Sequence, residues 1–398
     1  MRRVGITGIG AICALGHDAA AIWAAARAGA CGIRPIGNIP RTRLTATLAA
    51  EVEGFDATAH FDRKRLPMLD RAARLALVAA REAMAMARLP EYAPARAGAV
   101  LGAAIGQETF DDAYRSFYGE GVNRVPPLTV PRAMPSAPAS AVSMEFGLRG
   151  PSFSIASACA SATHAIGQAF HMVRSGMLDV AVTGGGDASV VVGVLKGWEA
   201  LRVLSTDACR PFSRDRSGLV IGEGAAILVL EPLDAARARG AEVLAELVGF
   251  GMSADAGDLT APSEEGAAAA IRAALADGGL APAEIGYVNA HGTGTRLNDR
   301  TEAAALRLVF GGHPPPVSSS KSMMGHCMSA GGALEAVLTV QALRDRVLPP
   351  TIGFREADPE CDLDVVPNVA RAARARAALS NSFAFGGLNA VLALREAA

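Results

Sequence analysis

The sequence has no excess of charge of either sign: 38 Lys and Arg stand against 39 Asp and Glu, a formal net charge of −1. This excludes a general attraction to nucleic acid or to anionic membrane, which needs a basic surface. A charged partner must be met by a local patch. Long apolar runs are missing too: GEGAAILVLEPL and AAAAIRAALA are shorter than the roughly 18 to 20 residues of a membrane span, so none is expected. The opening MRRVGITGIGAICALG sets two arginines before an apolar run, as a secretion signal does, but its dense glycines read better as a first strand and turn. Paired cysteines are absent. The six at positions 13, 31, 159, 209, 327 and 361 form neither a zinc pattern nor a disulfide framework, which points to a reducing, cytoplasmic setting.

With 51% hydrophobic residues among 398 and no low-complexity linker, the chain can bury two domain-sized cores. Short apolar runs (RVGITGIG, AGAVLGAA, SFSIAS, DVAVTGGG) alternate with alanine-rich helical stretches such as DRAARLALVAAREAMAMA. This is an α/β pattern whose strands are apolar enough to be covered on both faces. EPLDAARARG reads as a helix with a glycine stop, after which the pattern restarts at AEVLAELVGFGMS. The halves are therefore 1–238 and 239–398, with no residue-level repeat between them. Residues 107 to 138, with aromatics, prolines and little periodicity, suggest an insertion or a dimer-contact loop.

Gly8 and Gly10 mimic a dinucleotide fingerprint, but its third glycine position holds Cys13 and no acid stands at the ribose spacing. A glycine turn packed on the sheet is the better reading. Cys159, in SFSIASACASATHAIGQAF, stands at a strand-to-helix elbow. There the unpaired first-turn amides and the helix dipole favour thiolate and stabilise an oxyanion. By itself, a cysteine among alanines is more often a small buried hydrophobe. Three distant stretches shift that balance. NAHGTGT carries His291 after an apolar strand, SSSKSMMGHCMSAGGALE carries Lys321 and His326, and SNSFAFGGLN carries Phe385 before paired glycines. One cysteine, two histidines and a lysine in glycine-bounded turns make the arrangement that nucleophilic acyl chemistry needs.

These stretches, with VGITGIGAI, GLRGPSFSIASACASATHAIG, CRPFSRDRSGLVIGEGAA, NAHGTGTRLNDRTE and NSFAFGGLNAVL, run in one order along nearly the whole chain. In them the sequence resembles the β-ketoacyl-acyl carrier protein synthases of the elongating kind (types I and II), in the thiolase superfamily. The resemblance implies a thiolase-like, duplicated five-layered α/β/α/β/α fold, the N-terminal half carrying the nucleophile and the C-terminal half the His/Lys/His set. It also implies an acyltransferase that joins an acyl-cysteine to a malonyl-carrier thioester with loss of carbon dioxide, in fatty acid or polyketide biosynthesis. Its partners would be an acidic acyl carrier protein and a second subunit, as homodimer or heterodimer.

Residue by residue, the resemblance makes Cys159 a low-pKa acyl acceptor and His291 and His326 the pair that donates to the malonyl thioester oxygen, each presenting a protonated nitrogen. Lys321 would support the second histidine. Asp299 and Glu302 would orient the first, although a helix N-terminus explains these carboxylates equally well. The backbone N–H groups of Cys159 and Phe385 would form the oxyanion hole, with Phe385 also the aromatic gate. Thr293 and Thr295 would bind the phosphopantetheine arm, and Thr109 and Phe110 would line the acyl pocket. Arg63, Lys64, Arg65 and Arg71 would dock the carrier, where a solvated helix start is the rival reading. No cofactor is required, the phosphopantetheine coming with the substrate. Some relatives hold a structural Na+ or K+, for which Asn289, Glu335, Ser380 and Asn381 are the matching positions.

Two features depart from the housekeeping pattern. Ala384 stands where the gate loop usually has glycine, and VVVGVLKGWEALRVLSTDACRPFS with CDLDVVPNV resembles the nodulation-protein-E branch, implying a specialised acyl chain. Rival readings are a coenzyme A-using thiolase or initiating synthase, a non-catalytic chain-length subunit, and a decarboxylase-only synthase. The first would pair the nucleophile differently from KSMMGH, and the other two would lack Cys159.

Overall fold

The computed structural model describes residues 1–104 and 106–397. Among these, ten strands make one sheet: β1 (Val4–Cys13), β2 (Ala97–Ala103), β3 (Phe153–Ile155), β4 (Val180–Asp187), β5 (Gly224–Pro232), β6 (Ala245–Ala254), β7 (Ile285–Asn289), β8 (Val317–Ser318), β9 (Ala377–Ala384) and β10 (Leu388–Glu396). Their order is β8-β7-β9-β10-β6-β1-β5-β4-β2-β3. Read outward from the centre, the first half runs β1-β5-β4-β2-β3 and the second β6-β10-β9-β7-β8. The pairings correspond as well: antiparallel for the first two contacts, parallel for the last two. The duplication is one of topology, which is why no residue repeat betrays it. A short antiparallel pairing of Val4–Ile6 with Leu247–Ala245 joins the halves.

Seven helices matter for the site: α1 (Arg71–Ala87), α2 (Ser161–Ser175), α3 (Val192–Ala200), α4 (Glu264–Gly278), α5 (Arg296–Phe310), α6 (Lys321–Met324) and α7 (Gly331–Asp345). Helix α1 covers the outer face of β1, β5 and β4, and α4 covers that of β6 and β10. Between the two half-sheets lie α2 and α7, touching each other and both sets of strands. This completes the five layers. Every residue of α7 from Gly331 to Leu343 is buried, as a helix between two sheets requires. A lone acid, Glu335, is carried inward with it.

Every residue of β1 is buried. A Cβ on Gly8 or Gly10 would come 2.1 Å from the carbonyl oxygens of Ala83 or Ala79 in α1. The glycines thus let a helix lie directly on the strand; they belong to the strand itself and not to the turn expected from the sequence. Residues 107 to 146 form short helices around a surface that exposes Tyr114, Phe117, Tyr118 and Val130. No helix among the described residues is long and apolar enough to cross a membrane.

Candidate active site

Cys159 follows β3 and stands two residues before α2. Ala158 has φ +48°, a left-handed conformation that costs a residue with a Cβ roughly 1 to 3 kcal/mol. Ser161 holds this elbow in place: its Oγ accepts from Ser157 N at 2.9 Å and donates to the Ala158 carbonyl at 2.6 Å. The Cys159 side chain ends in a buried position where the backbone N–H groups of Phe385 and of Cys159 itself both act on the sulfur. Backbone N–H groups beside the reacting sulfur are the kind of donor an oxyanion hole uses. The expected low-pKa thiol is corrected here. Burial pushes Cys159 up to about 11, Asp187 adds to the rise, and Lys321 with the two N–H groups only partly offsets it. Desolvation outweighs the helix end, so the resting group is the thiol.

His291 follows β7, and its loop is braced from behind by α5. Glu302, fully buried, accepts from the backbone N–H of His291 at 2.8 Å and of Gly292 at 2.7 Å. Asp299 accepts from Gly294 N at 3.2 Å and Phe212 N at 2.8 Å. Both carboxylates therefore act on the loop backbone, and Asp299 also lies in the first turn of α5. Gly292 has φ +35°, and a Cβ there would meet Ser319 at 2.6 Å. His326 leaves α6 after Gly325 and is pinned to residues 220–222, its N donating to Val220 O at 2.7 Å and its O accepting from Gly222 N at 2.9 Å. The two imidazoles meet at 84°, centroids 5.4 Å apart.

Their proton positions follow from their neighbours. Lys321 Nζ, a donor only, lies 3.3 Å from His291 Nδ1, so Nδ1 accepts and Nε2 carries the proton. His326 Nδ1 accepts from Met328 N at 3.2 Å, which again leaves the proton on Nε2. That Nε2 is buried without a partner. Burial and the Lys321 charge hold both rings well below the ordinary histidine pKa, so each presents a neutral N–H. Lys321 thus makes its direct contact with the first histidine, where the second was expected, while its charge acts on both rings. Its counter-charge is Glu335 of α7, buried with it, whose own carboxyl is pushed up to about 7 by burial against the pull of Lys321.

Two chambers meet at Cys159. The outer, of about 250 Å³, is lined by Cys159, His291, His326, Thr293, Thr295 and Phe385 among others. The hydroxyls of Thr293 and Thr295 lie 2.9 Å apart at its wall. The inner, of about 220 Å³, is lined by Cys159, Phe385, Gln107, Asp187, Ser189 and Trp198 among others. Thr109 and Phe110 are not part of its lining. Thr109 is turned away by Asp70, whose carboxylate accepts from its N at 3.0 Å and its Oγ1 at 2.5 Å, and Phe110 stacks on Tyr114.

The basic stretch is corrected as well. Arg71 is held bidentate by Glu223 at 2.7 and 2.6 Å, and Arg65 pairs with Glu145 at 2.5 Å. Both are structural cations, and only Arg63 and Lys64 of the four stand exposed. The sequence reading missed Asp187, at the end of β4. It accepts from Ser189 Oγ and from Ser329 Oγ at 2.6 Å, and burial pushes it up to about 6. The acid closing the glycine-rich strand VAVTGGGD was the available signal.

Asn289 is paired with Ser380 where β7 and β9 meet and reaches the Glu335 carbonyl on α7, while Asn381, next along β9, turns its side chain to Glu302 of α5 on the other face. The four expected positions are fully buried, and Asn289 Oδ1, Ser380 Oγ, Asn381 Oδ1 and Glu335 Oε2 each lack a hydrogen-bond partner. The amide nitrogens turn away, Asn289 Nδ2 to the Glu335 carbonyl at 3.3 Å and Asn381 Nδ2 to Glu302 at 3.1 Å. Buried oxygens left over are the kind of donor that suits a hard monovalent cation.

Comparison with known proteins gives the family of the chain. Residues 1–236 match the family model described as "Beta-ketoacyl synthase, N-terminal domain" and residues 244–355 the corresponding C-terminal domain. Nodulation protein E of Rhizobium sp. (strain N33) is 50% identical over 400 residues, covering 99% of each chain. The 3-oxoacyl-[acyl-carrier-protein] synthase 2 of Staphylococcus aureus (strain COL) is 41% identical over 407 residues, covering 99% of this chain and 98% of its own. The solved structure described as the ishigamide ketosynthase/chain length factor superposes with a TM-score of 0.94 at 38% identity, covering both chains completely.

Proposed function

Because the chain belongs to the β-ketoacyl synthase family, we propose that Cys159, His291 and His326 carry out a decarboxylative condensation between two acyl carrier protein thioesters. The chain is an acyltransferase of the 3-oxoacyl-[acyl carrier protein] synthase kind. The observation that carries the residue assignment is one chamber holding a cysteine at a strained elbow, two backbone N–H donors at its sulfur, and two neutral imidazoles each with its proton on Nε2.

The acyl thioester enters with its carbonyl oxygen toward the N–H groups of Phe385 and Cys159. Cys159 loses its proton, its sulfur bonds to the acyl carbon, and the carrier thiol leaves carrying a proton. Malonyl-carrier then takes the outer chamber, where the phosphopantetheine arm meets Thr293 and Thr295. The Nε2–H groups of His291 and His326 donate to the thioester oxygen as the carboxylate departs as carbon dioxide, and the charge left behind rests on that oxygen as an enolate. Its α-carbon bonds to the acyl carbon, and the Cys159 thiolate is expelled and takes up a proton. The product is a 3-oxoacyl-carrier two carbons longer, and one cysteine serving both halves makes the kinetics ping-pong. Neutral imidazoles suit this role because they stabilise the enolate without protonating it.

A resident cofactor has no part in either half-reaction. The likeness to nodulation protein E supports a specialised acyl chain, and the unpaired cysteines support a reducing cytoplasm. The apolar surface of Tyr114, Phe117 and Tyr118 supports a second subunit, identical or related. The test of the function is the purified chain mixed with acyl- and malonyl-carrier. One carbon dioxide should appear per 3-oxoacyl-carrier formed, with one acyl group recovered on the Cys159 peptide when malonyl-carrier is withheld. An unmodified Cys159 would remove the assignment, and turnover only with an added related chain would make this a partner-dependent subunit.

Asn289, Glu335, Ser380 and Asn381 would hold Na+ or K+, which would offset the buried carboxylate behind Lys321 and fix the β7 and β9 strand ends on which the histidine loop rests. At a hundredfold excess over its dissociation constant such an ion adds about 2.7 kcal/mol to stability. The thermal midpoint should therefore fall when sodium and potassium are exchanged for tetramethylammonium, and equal midpoints in all three salts would rule the ion out.

A further inference from the structure

Trp198 stands where the two chambers meet, lining the outer one beside Phe385 and the inner one beside Gln107 and Asp187. Its indole stacks on the Phe385 ring, centroids 5.5 Å apart with 23° between the planes. The two partners are held very differently. Trp198 belongs to α3, which is tied to the segment of residues 43–46: Glu199 accepts from Thr45 N at 2.6 Å and Ala46 N at 2.9 Å, and Lys196 Nζ donates to Arg43 O at 3.0 Å. Leu195, one turn before Trp198 on the same face, anchors the helix in a cluster with Leu219, Ile221 and Met328, against which Trp198 also packs.

Phe385 lies in the three-residue turn between β9 and β10. It is followed by Gly386 at φ +81° and Gly387 at φ +67°, and nothing lies within 4 Å of a Cβ built on Gly386. Ala384 is an extended strand residue paired with Leu388, so rotation of the Phe385 segment falls to the two glycines after it. The turn bonds to the loop outside it, Gly386 N to Leu259 O at 2.8 Å and Asp255 N to Gly387 O at 2.9 Å, and back to the strand ends, Gly387 N to Ala384 O at 3.1 Å and Asn389 Nδ2 to Gly387 O at 3.4 Å. One ring is on a helix and the other in a turn ending in two glycines at positive φ.

We infer that Trp198 is a specificity-setting positioning residue, the fixed face on which the Phe385 ring closes, so that an acyl group long enough to enter the inner chamber must part this stack. A group short enough to end at Cys159 leaves it intact. The inference rests on reading Cys159 as the acyl acceptor, but its test needs no carrier protein. Methyl and octyl methanethiosulfonate each transfer their S-alkyl group to a cysteine thiolate, forming a disulfide and releasing methanesulfinate. The chain has only two tryptophans, and Trp23 is remote from the gate, its Nε1 bonded to Asp345 at 2.7 Å. A Trp23→Phe, Cys31→Ser background thus makes Trp198 the sole tryptophan, excited selectively at the red edge of its absorption, and removes the exposed cysteine.

In that background, octyl modification of Cys159, confirmed by peptide mass, should shift Trp198 emission, while methyl modification should not. Adding Trp198→Ala should raise the octyl-to-methyl rate ratio at Cys159 about fivefold, the rate equivalent of one lost aromatic stack, whereas Trp198→Phe should restore a ratio near the parent's. Emission that ignores octyl modification, or a ratio unmoved in Trp198→Ala, would overturn the inference. Failure of carrier thioesters to acylate Cys159 would instead bear on the proposed condensation and leave these readouts standing.

Discussion

Cys159→Ala should abolish condensation, lowering 3-oxoacyl formation by on the order of 10⁴-fold or more, while malonyl-carrier is still decarboxylated. The two outcomes separate because they use different atoms. Acyl transfer needs the sulfur, whereas enolate formation needs only the Nε2–H groups of His291 and His326, whose positions are set by Lys321 Nζ and Met328 N. A variant that still condenses at a tenth of the parent rate would show that another group accepts the acyl chain. The protonation state gives a second reading of the same residue. With the thiol pushed up to about 11, the thiolate fraction rises about tenfold per pH unit below that value. Alkylation of Cys159 in the free protein should therefore climb steadily from pH 7 to pH 10. A plateau beginning near neutrality would mean that the helix end and Lys321 overcome burial. With the thiol at about 11, ionisation on the free enzyme is rare, and the reaction depends on the N–H groups of Phe385 and Cys159 taking up charge as the bound thioester is attacked.

His326→Ala should lower malonyl decarboxylation by about 10² to 10³, the effect of deleting one preorganised donor from a water-poor site, and leave acylation of Cys159 within reach of the parent. Mass analysis of the Cys159 peptide measures the second quantity and carbon dioxide release the first. Equal decarboxylation by the variant would refute the donor role. The pH profile adds a constraint with a definite sign. Because burial and Lys321 hold the His326 and His291 pKa values well below the ordinary histidine range, both rings stay neutral through the region where a free histidine titrates. Decarboxylation by the parent should be flat across pH 6 to 8, and a rise as pH drops through about 6.5 would mean that imidazolium is the working form.

Much of this site can be read without coordinates. Cys159 at the end of SFSIAS, His291 after a short apolar strand and His326 in a glycine-bounded segment are local patterns, each created by a strand ending or a helix beginning within a few residues. What failed was adjacency. Lys321 precedes His326 by five residues, yet its ammonium meets the imidazole of His291, because the turn of α6 and the β7 loop converge only when β7 and β8 pair. Arg71 sits among exposed basic neighbours in sequence and is nonetheless captured by Glu223, 152 positions away. Thr109 lines the acyl pocket by resemblance, but its hydroxyl bonds to Asp70.

The sequence by itself determined the α/β alternation, the elbow beneath Cys159 and the residue types for acyl transfer, since these depend on short-range periodicity and on chemistry that side chains carry wherever they stand. The tertiary structure alone decided that the halves share one topology, that Cys159 rests as a thiol, that each imidazole keeps its proton on Nε2, and that Trp198 backs the gate. The reason is physical. Desolvation, the partner of a hydrogen bond and the wall of a cavity are created by residues brought together from across the chain, and no window of sequence contains them.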